Sequence, residues 1–263
     1  MGGPAQPVYG GPWEAEMLAK ATTFATVLAP AGSLVVPAGA HTPENVTDTP
    51  GELTTFTAKA RVVPNRAGTP KNPQGVVIHS SARVTTAPGY EPPIFQHGYA
   101  LFPRAGNYNG DDFPRCSKRT LDRYGTDPCP KRSRIGSGTG TVYADTVITR
   151  PKIEIFNGGS KLALAYVTLY HPALVREAIP VKIEELPRGK WKYKASLAVP
   201  RSLQVVAGIP IAARTVKIKV GRGNLIESTS CPKNRRWPYL LRGYFSNGSD
   251  YTYRSSVPCK PAR

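Results

Sequence analysis

Residues 190–197 read Lys-Trp-Lys-Tyr-Lys-Ala-Ser-Leu, with Trp191, Tyr193, Ala195 and Leu197 strictly interleaved with Lys190, Lys192, Lys194 and Ser196. Successive side chains of a strand point to opposite faces, so this stretch predicts a strand with one core face and one lysine face. The same period of two recurs outward from it. Phe56, Ala58, Ala60 and Val62 alternate with Thr55, Thr57, Lys59 and Arg61, and Val76, Ile78, Ala82 and Val84 alternate with Val77, His79 and Arg83. Val216, Ile218 and Val220 oppose Thr215, Lys217 and Lys219, so two lysine-faced strands are expected to make one basic sheet surface. Val142 to Thr149 predicts a further strand, and the almost continuous apolar run Lys161 to Tyr170 predicts the most buried one.

The chain closes with Tyr239 to Ser246, then Asn247-Gly248, then Ser249 to Val257. Asn-Gly favours the positive φ angles of a type I′ turn, which predicts a hairpin with Tyr244 opposite Tyr251 and Arg242 opposite Tyr253. Gly and Pro, 25 and 27 of 263 residues, supply the punctuation that many short strands need. A short helix is expected, N-capped by Ser117, running through Tyr124 and ended by Gly125. The fold class is all-β, with sandwich-like antiparallel sheets, a short disulfide-stapled helix and a C-terminal hairpin. Residues 1–51, rich in Gly, Pro and Ala, are read as a loosely ordered leader with a helix-compatible stretch at Trp13 to Lys20. Residues 52–263 form the β domain, with 187–190 as the place where two subdomains would divide.

Four cysteines fall into two sequence-local pairs, Cys116 with Cys129 and Cys231 with Cys259. Four cysteines allow three connectivities, and the local one keeps both loops short. A zinc site is the competing account, and it lacks any C-x-x-C pair or nearby His. Disulfides point to an oxidising compartment, so a secreted or cell-envelope protein is expected. Residues 1–12 carry no basic segment followed by an apolar one, so the signal peptide is expected to be missing from this sequence. No apolar run is long enough to span a membrane as a helix.

Three blocks carry a resemblance: VVPNRAGTPKNPQGV (62–76), FPRCSKRTLDRYGTDPCPKRSRIGSGTG (113–140) and LIESTSCP (225–232) followed by a tryptophan, a hairpin and a last cysteine. Over about residues 52 to 259 the chain resembles a family of uncharacterised secreted actinobacterial β-rich proteins. That resemblance implies export and the paired cysteines and brings no activity, cofactor or catalytic residue.

Lys and Arg number 35 against 17 Asp and Glu, a net charge of +18, which favours anionic partners without choosing among them. The densest basic cluster surrounds the first cysteine pair: Arg115, Lys118, Arg119, Arg123, Lys131, Arg132 and Arg134. Tyr99, Phe102, Tyr108, Phe113 and Tyr124 lie nearby in sequence and suit stacking against bases or sugars. This cluster is the candidate anion-binding patch, its bland reading being a solvated loop in a basic protein. Gly136-Ser137-Gly138-Thr139-Gly140 lacks the Lys and the following helix of a phosphate loop and reads as a turn or bulge. His41, His79, His97 and His171 show no metal-ligand spacing, no nucleophile elbow is present, and Asp111-Asp112 and Glu184-Glu185 are the adjacent acidic pairs a glycosidase would draw on. No cofactor motif appears. The expectation is a non-enzymatic secreted or envelope protein whose basic surface contacts anionic polymer, lipid headgroups or a protein partner. A secreted nucleic-acid binder is the first alternative and a carbohydrate-active enzyme the second.

Overall fold

A computed structural model describes residues 45–46 and 54–262, which belong to the compact unit Thr42–Arg263. The expected leader lies outside the described residues apart from Asn45–Val46. In chain order the strands are β1 (Asn45–Val46), β2 (Thr54–Val63), β3 (Gln74–Gly75), β4 (Val77–Thr86), β5 (Phe95–Pro103), β6 (Gly106–Tyr108), β7 (Arg134–Ala144), β8 (Val147–Thr149) and β9 (Lys152–Gly159). They continue with β10 (Leu162–Leu169), β11 (Val175–Glu185), β12 (Trp191–Ala198), β13 (Val205–Val206), β14 (Ile209–Val220), β15 (Ile226–Ser228), β16 (Arg236–Phe245) and β17 (Asp250–Pro258). The helices are α1 (Lys118–Tyr124) and α2 (Arg201–Gln204).

The all-β expectation holds, and its two facing layers are parts of one antiparallel sheet. Fourteen strands join in the order β1-β17-β16-β5-β12-β11-β10-β9-β7-β14-β4-β2, with β8 on β7 and β13 on β14. The far end returns to the near one: Phe56 of β2 stacks on Tyr251 of β17 at 6.4 Å between ring centroids. The sheet therefore almost closes on itself and encloses its apolar face. Inside lie Ile153, Ile155, Ala163, Ala165, Val181, Ile183, Val216 and Ile218, capped by Phe113, Leu225 and the small β3-β15-β6 sheet. The segment 186–190 is the turn of the β11–β12 hairpin within this sheet.

Four local expectations meet a different outcome. The C-terminal hairpin forms, but its loop has three residues, because the Phe245 N–H donates to the Ser249 carbonyl at 3.0 Å and the Gly248 N–H to the Phe245 carbonyl at 3.1 Å. Only Gly248 in that loop has positive φ, +82°. One extra residue slips the register by one, and a slip of one exchanges the faces. Arg242 thus opposes Thr252, Tyr244 opposes Asp250, and Gly243 opposes Tyr251. The two-residue turn with two positive φ angles is instead Ala207-Gly208, between β13 and β14.

The Gly136–Gly140 run is the middle of strand β7 rather than a turn. Its glycines face inward, where a Cβ on Gly138 would stand 2.5 Å from the Lys217 carbonyl oxygen and 2.6 Å from Ile218 Cδ1. The glycines leave room for isoleucines of both neighbouring strands to lie over β7. Gly138→Ala is expected to cost about 1–3 kcal/mol, since the adjacent backbone must shift; urea unfolding checks this, and an unchanged midpoint would mean the strand relaxes freely.

The most buried strand is β9, with six of eight residues buried, ahead of β10 with five of eight. Glu154, Asn157 and the glycines hid it, because polar and small residues interrupt the apolar signal. The two lysine-faced strands do not adjoin: β11, β10, β9 and β7 separate β12 from β14.

Helix α1 forms as expected. Ser117 Oγ accepts from the Thr120 N–H at 3.0 Å, and Gly125, with φ of +75°, returns its N–H to the Leu121 carbonyl. The Cys116–Cys129 disulfide brackets the helix. Fully buried Leu121 seats it on Phe156, Leu164, Tyr166 and Ala178, on the outer side of β9 to β11. Pairing of β11 with β12 ends at Val181, and the unpaired ladder donor of Ala178 is taken by Asp122 Oδ1 at 2.8 Å. Cys231–Cys259 joins the two open ends of the β16–β17 hairpin.

Candidate functional site

Strands β2, β4, β14 and β7 pair in register and place two cross-strand rows on the outer face. One row is Lys59, Ser81, Lys217 and Thr139; the next is Arg61, His79, Lys219 and Ser137. Thr57, Arg83, Thr215 and Thr141 follow in a third. The first two rows line a hollow of about 580 Å³. Alternation explains it, since the inward residues Ala58, Ala60, Ala82, Val216 and Ile218 bind the strands to the core and leave the polar set outside.

Among the described residues, no lining side chain is a carboxylate, Phe, Tyr or Trp. Among the described residues, Lys59, Arg61, Arg83, Lys217 and Lys219 enter no ion pair. The next carboxylate along the second row is Glu154 on β9, opposite Ser137. It is already held by Arg134 at 3.1 Å and Lys152 at 2.8 Å. His79 sits between Arg61 and Lys219, and partial burial followed by these two charges holds its imidazole below the usual histidine range. Lysine, arginine, protonated histidine and hydroxyls all donate, so the hollow presents hydrogen-bond donors of a kind that acceptor-only oxyanions complement.

The patch expected around the first disulfide is laid out differently. Arg115 is paired with Asp111, Lys118 with Asp122, and Arg134 with Glu154. Arg119, Arg123, Lys131 and Arg132 are exposed and enter no ion pair among the described residues. Of the aromatics near them in sequence, Phe113 is core and Tyr108 is half-buried, its hydroxyl donating to Asn157 Oδ1 at 3.2 Å. Tyr99 and Phe102 belong to β5, away from the patch in strand order, and Tyr124 alone stands exposed beside Arg123.

A third basic surface lies on β12, β5 and β16. Lys194 rests over Tyr99, Arg242 over Tyr244, and His97 stacks on Tyr244 at 4.4 Å. These cations have partners: Lys194 pairs with Glu184, Lys192 with Glu185, and Arg242 with Asp250. Both members of the Glu184-Glu185 pair are thereby engaged. Among the described residues no group of three or more His, Cys, Asp and Glu side chains could hold a metal ion, and no helix is long and apolar enough to cross a membrane.

The hollow was missed because its rows come from four separate segments, each carrying two or three polar residues at alternate positions. The signal available in the sequence was the alternation Lys59, Arg61 and Lys217, Lys219, without any indication that these strands are neighbours through β4. No protein-family model matches the chain, and no curated protein matches it.

Proposed function

We propose that this protein is a non-catalytic binding protein of an exported, oxidising compartment, and that the outer face of β2, β4, β14 and β7 holds a linear anionic glycopolymer of the cell envelope. One observation carries the reading: four strands gather Lys59, Arg61, His79, Lys217 and Lys219 around a hollow with no acidic side chain among the described residues that line it. Self-paired cations on β12 and β16 have already spent their charge on carboxylates, whereas these have not, so an external polyanion meets less competition here. Both disulfides support the oxidising compartment. With no Phe, Tyr or Trp among the described lining residues, the hollow favours a polymer recognised by charge over single-stranded nucleic acid, which stacks its bases on such rings.

The test is binding of a poly(glycerol phosphate) polymer across a salt series. Each cation that displaces a counterion steepens the fall of affinity with salt by roughly 0.7 to 0.9 in the logarithmic slope. Lys59→Gln, Lys217→Gln and Lys219→Gln together are expected to lower that slope by about two to three and to weaken binding at low salt at least about tenfold. Arg119→Gln, Arg123→Gln and Arg132→Gln, on the α1 side, serve as the comparator and are expected to change the slope by less than about one. Equal losses in both triple variants would reduce the hollow to general basic stickiness, and tighter retention of duplex DNA than of the glycopolymer would move the reading to nucleic acid.

A further inference from the structure

Arg61 on β2 and Lys219 on β14 stand directly opposite His79 on its two sides, and Lys59 and Lys217 lie diagonal to it. Ser137 on β7 continues the row, and beyond it the first carboxylate, Glu154, is committed to Arg134 and Lys152. His79 is therefore a weak base at the centre of a cationic row with no carboxylate of the described residues beside it. An imidazole so placed has one hydrogen-bond donor when neutral and two when protonated. An acceptor-only oxyanion seated in the row completes the protonated form twice over, by accepting its second N–H and by offsetting the charges of Arg61 and Lys219.

The row of Arg61, His79, Lys219 and Ser137 lies two residues from the row of Lys59, Ser81, Lys217 and Thr139, about 7 Å along the strands. Two rows of donors at that separation suit consecutive charged groups of an extended polymer with a short linker. Phosphodiesters meet this description: each carries one charge and acceptor oxygens, and none titrates near neutrality, so any proton taken up on binding goes to the protein.

Resting on the glycopolymer reading above, we propose that the hollow takes a phosphodiester polymer together with one proton, which His79 accepts as the polymer binds. Affinity then depends on pH with a defined sign. Free His79 titrates below the ordinary histidine value because of burial, Arg61 and Lys219. Bound phosphate raises that value, so between the free and bound pKa the complex holds one proton more than the free protein. Affinity rises as pH falls through the bound pKa and levels off below the free one, by about tenfold for each unit between them.

The experiment measures binding of poly(glycerol phosphate) to the full chain at fixed ionic strength between about pH 8 and pH 5, for the native protein and for His79→Gln. The expected result is a rise on the order of tenfold toward acid pH in the native protein and a flat profile in the variant. Calorimetry in two buffers of different ionisation enthalpy supplies a readout that needs no variant. Net proton uptake on binding near pH 6.5 supports the proposal, and no uptake overturns it. A rise of equal size in both proteins, or none in either, overturns the role of His79 while leaving polymer binding in place. Failure of both proteins to bind the polymer at low salt at any pH overturns the glycopolymer reading and this inference with it.

Discussion

Asn157→Ala is expected to lower the melting temperature of the β domain by roughly 10 °C, the largest loss of any single polar substitution here. Asn157 is fully buried on β9. Its Nδ2 lies 2.8, 3.0 and 3.1 Å from the carbonyl oxygens of Gly110, Phe113 and Pro114, which turn the chain toward the first disulfide. Its Oδ1 accepts from the Gly159 N–H at 3.1 Å and from the Tyr108 hydroxyl at 3.2 Å. One amide, its two N–H donors shared among three carbonyls and its oxygen accepting twice, thus ties five groups together. Truncation leaves buried donors and acceptors unpaired at about 1–3 kcal/mol each, for a total of at least about 4 kcal/mol. Burial pushes the Tyr108 hydroxyl up to about 12, so it stays protonated and keeps only the longer contact to the Leu162 carbonyl, at 3.4 Å, when Asn157 is truncated.

Asn157→Asp adds a diagnostic. A carboxylate facing three carbonyl oxygens is disfavoured, so its folded pKa is raised above the unfolded value of about 3.9. The folded state then binds more protons than the unfolded one, and stability falls as pH rises through that window. Thermal melts of both variants at several pH values check this. An Asn157→Asp variant as stable at neutral pH as at acid pH would show that the corner can be rebuilt without the amide.

Removing the Cys231–Cys259 disulfide as Cys231→Ala with Cys259→Ala is expected to cost about 4 kcal/mol, against about 3 kcal/mol for the Cys116–Cys129 pair. The difference follows from sequence separations of 28 and 13, because the longer loop loses more freedom in the unfolded chain when closed. Cys259 is buried in a cluster with Ala67, Ala105, Trp237 and Val257, and the Trp237 indole N–H donates to the Ser230 carbonyl at 2.8 Å. Opening this staple releases the start of β16 and the end of β17 together. The measurement is denaturant unfolding of the native protein, each double-alanine variant and the reduced native protein. A loss below about 1 kcal/mol for the 231–259 variant would mean that the hairpin constrains its own ends in the unfolded chain.

Much of the fold was legible because strand identity is written locally. The alternations at 55–62 and 215–220 named both the strands and their solvent faces, that at 190–197 named its strand but not a solvent face, since Trp191 to Leu197 are all half-buried, and Ser117 and Gly125 set the ends of α1 through their own hydrogen bonds and φ angle. Legibility failed where a residue's local preference yields to a neighbour. Gly136 to Gly140 reads as a turn, yet these glycines are needed inside β7 so that Ile153, Ile155 and Ile218 can cover it. Asn247-Gly248 reads as a two-residue turn, yet the loop takes Ser246 as well, and the face of every residue in β16 relative to β17 follows from that one position.

By itself, then, the sequence determined an all-β chain with its strands, its capped helix, its local cysteine pairs and a surplus of positive charge, because backbone sterics, alternation and short loops act over a few residues. Which charges stand together was decided only by the tertiary structure. His79 and Lys219 become neighbours because β4 buries its apolar face beside β14, and Lys190, Lys192 and Lys194 are parted from Lys217 and Lys219 because β11, β10, β9 and β7 fill the sheet between them. Strand order is set by burial of the whole apolar face at once, a cost shared by residues far apart in the chain, and no local pattern records it.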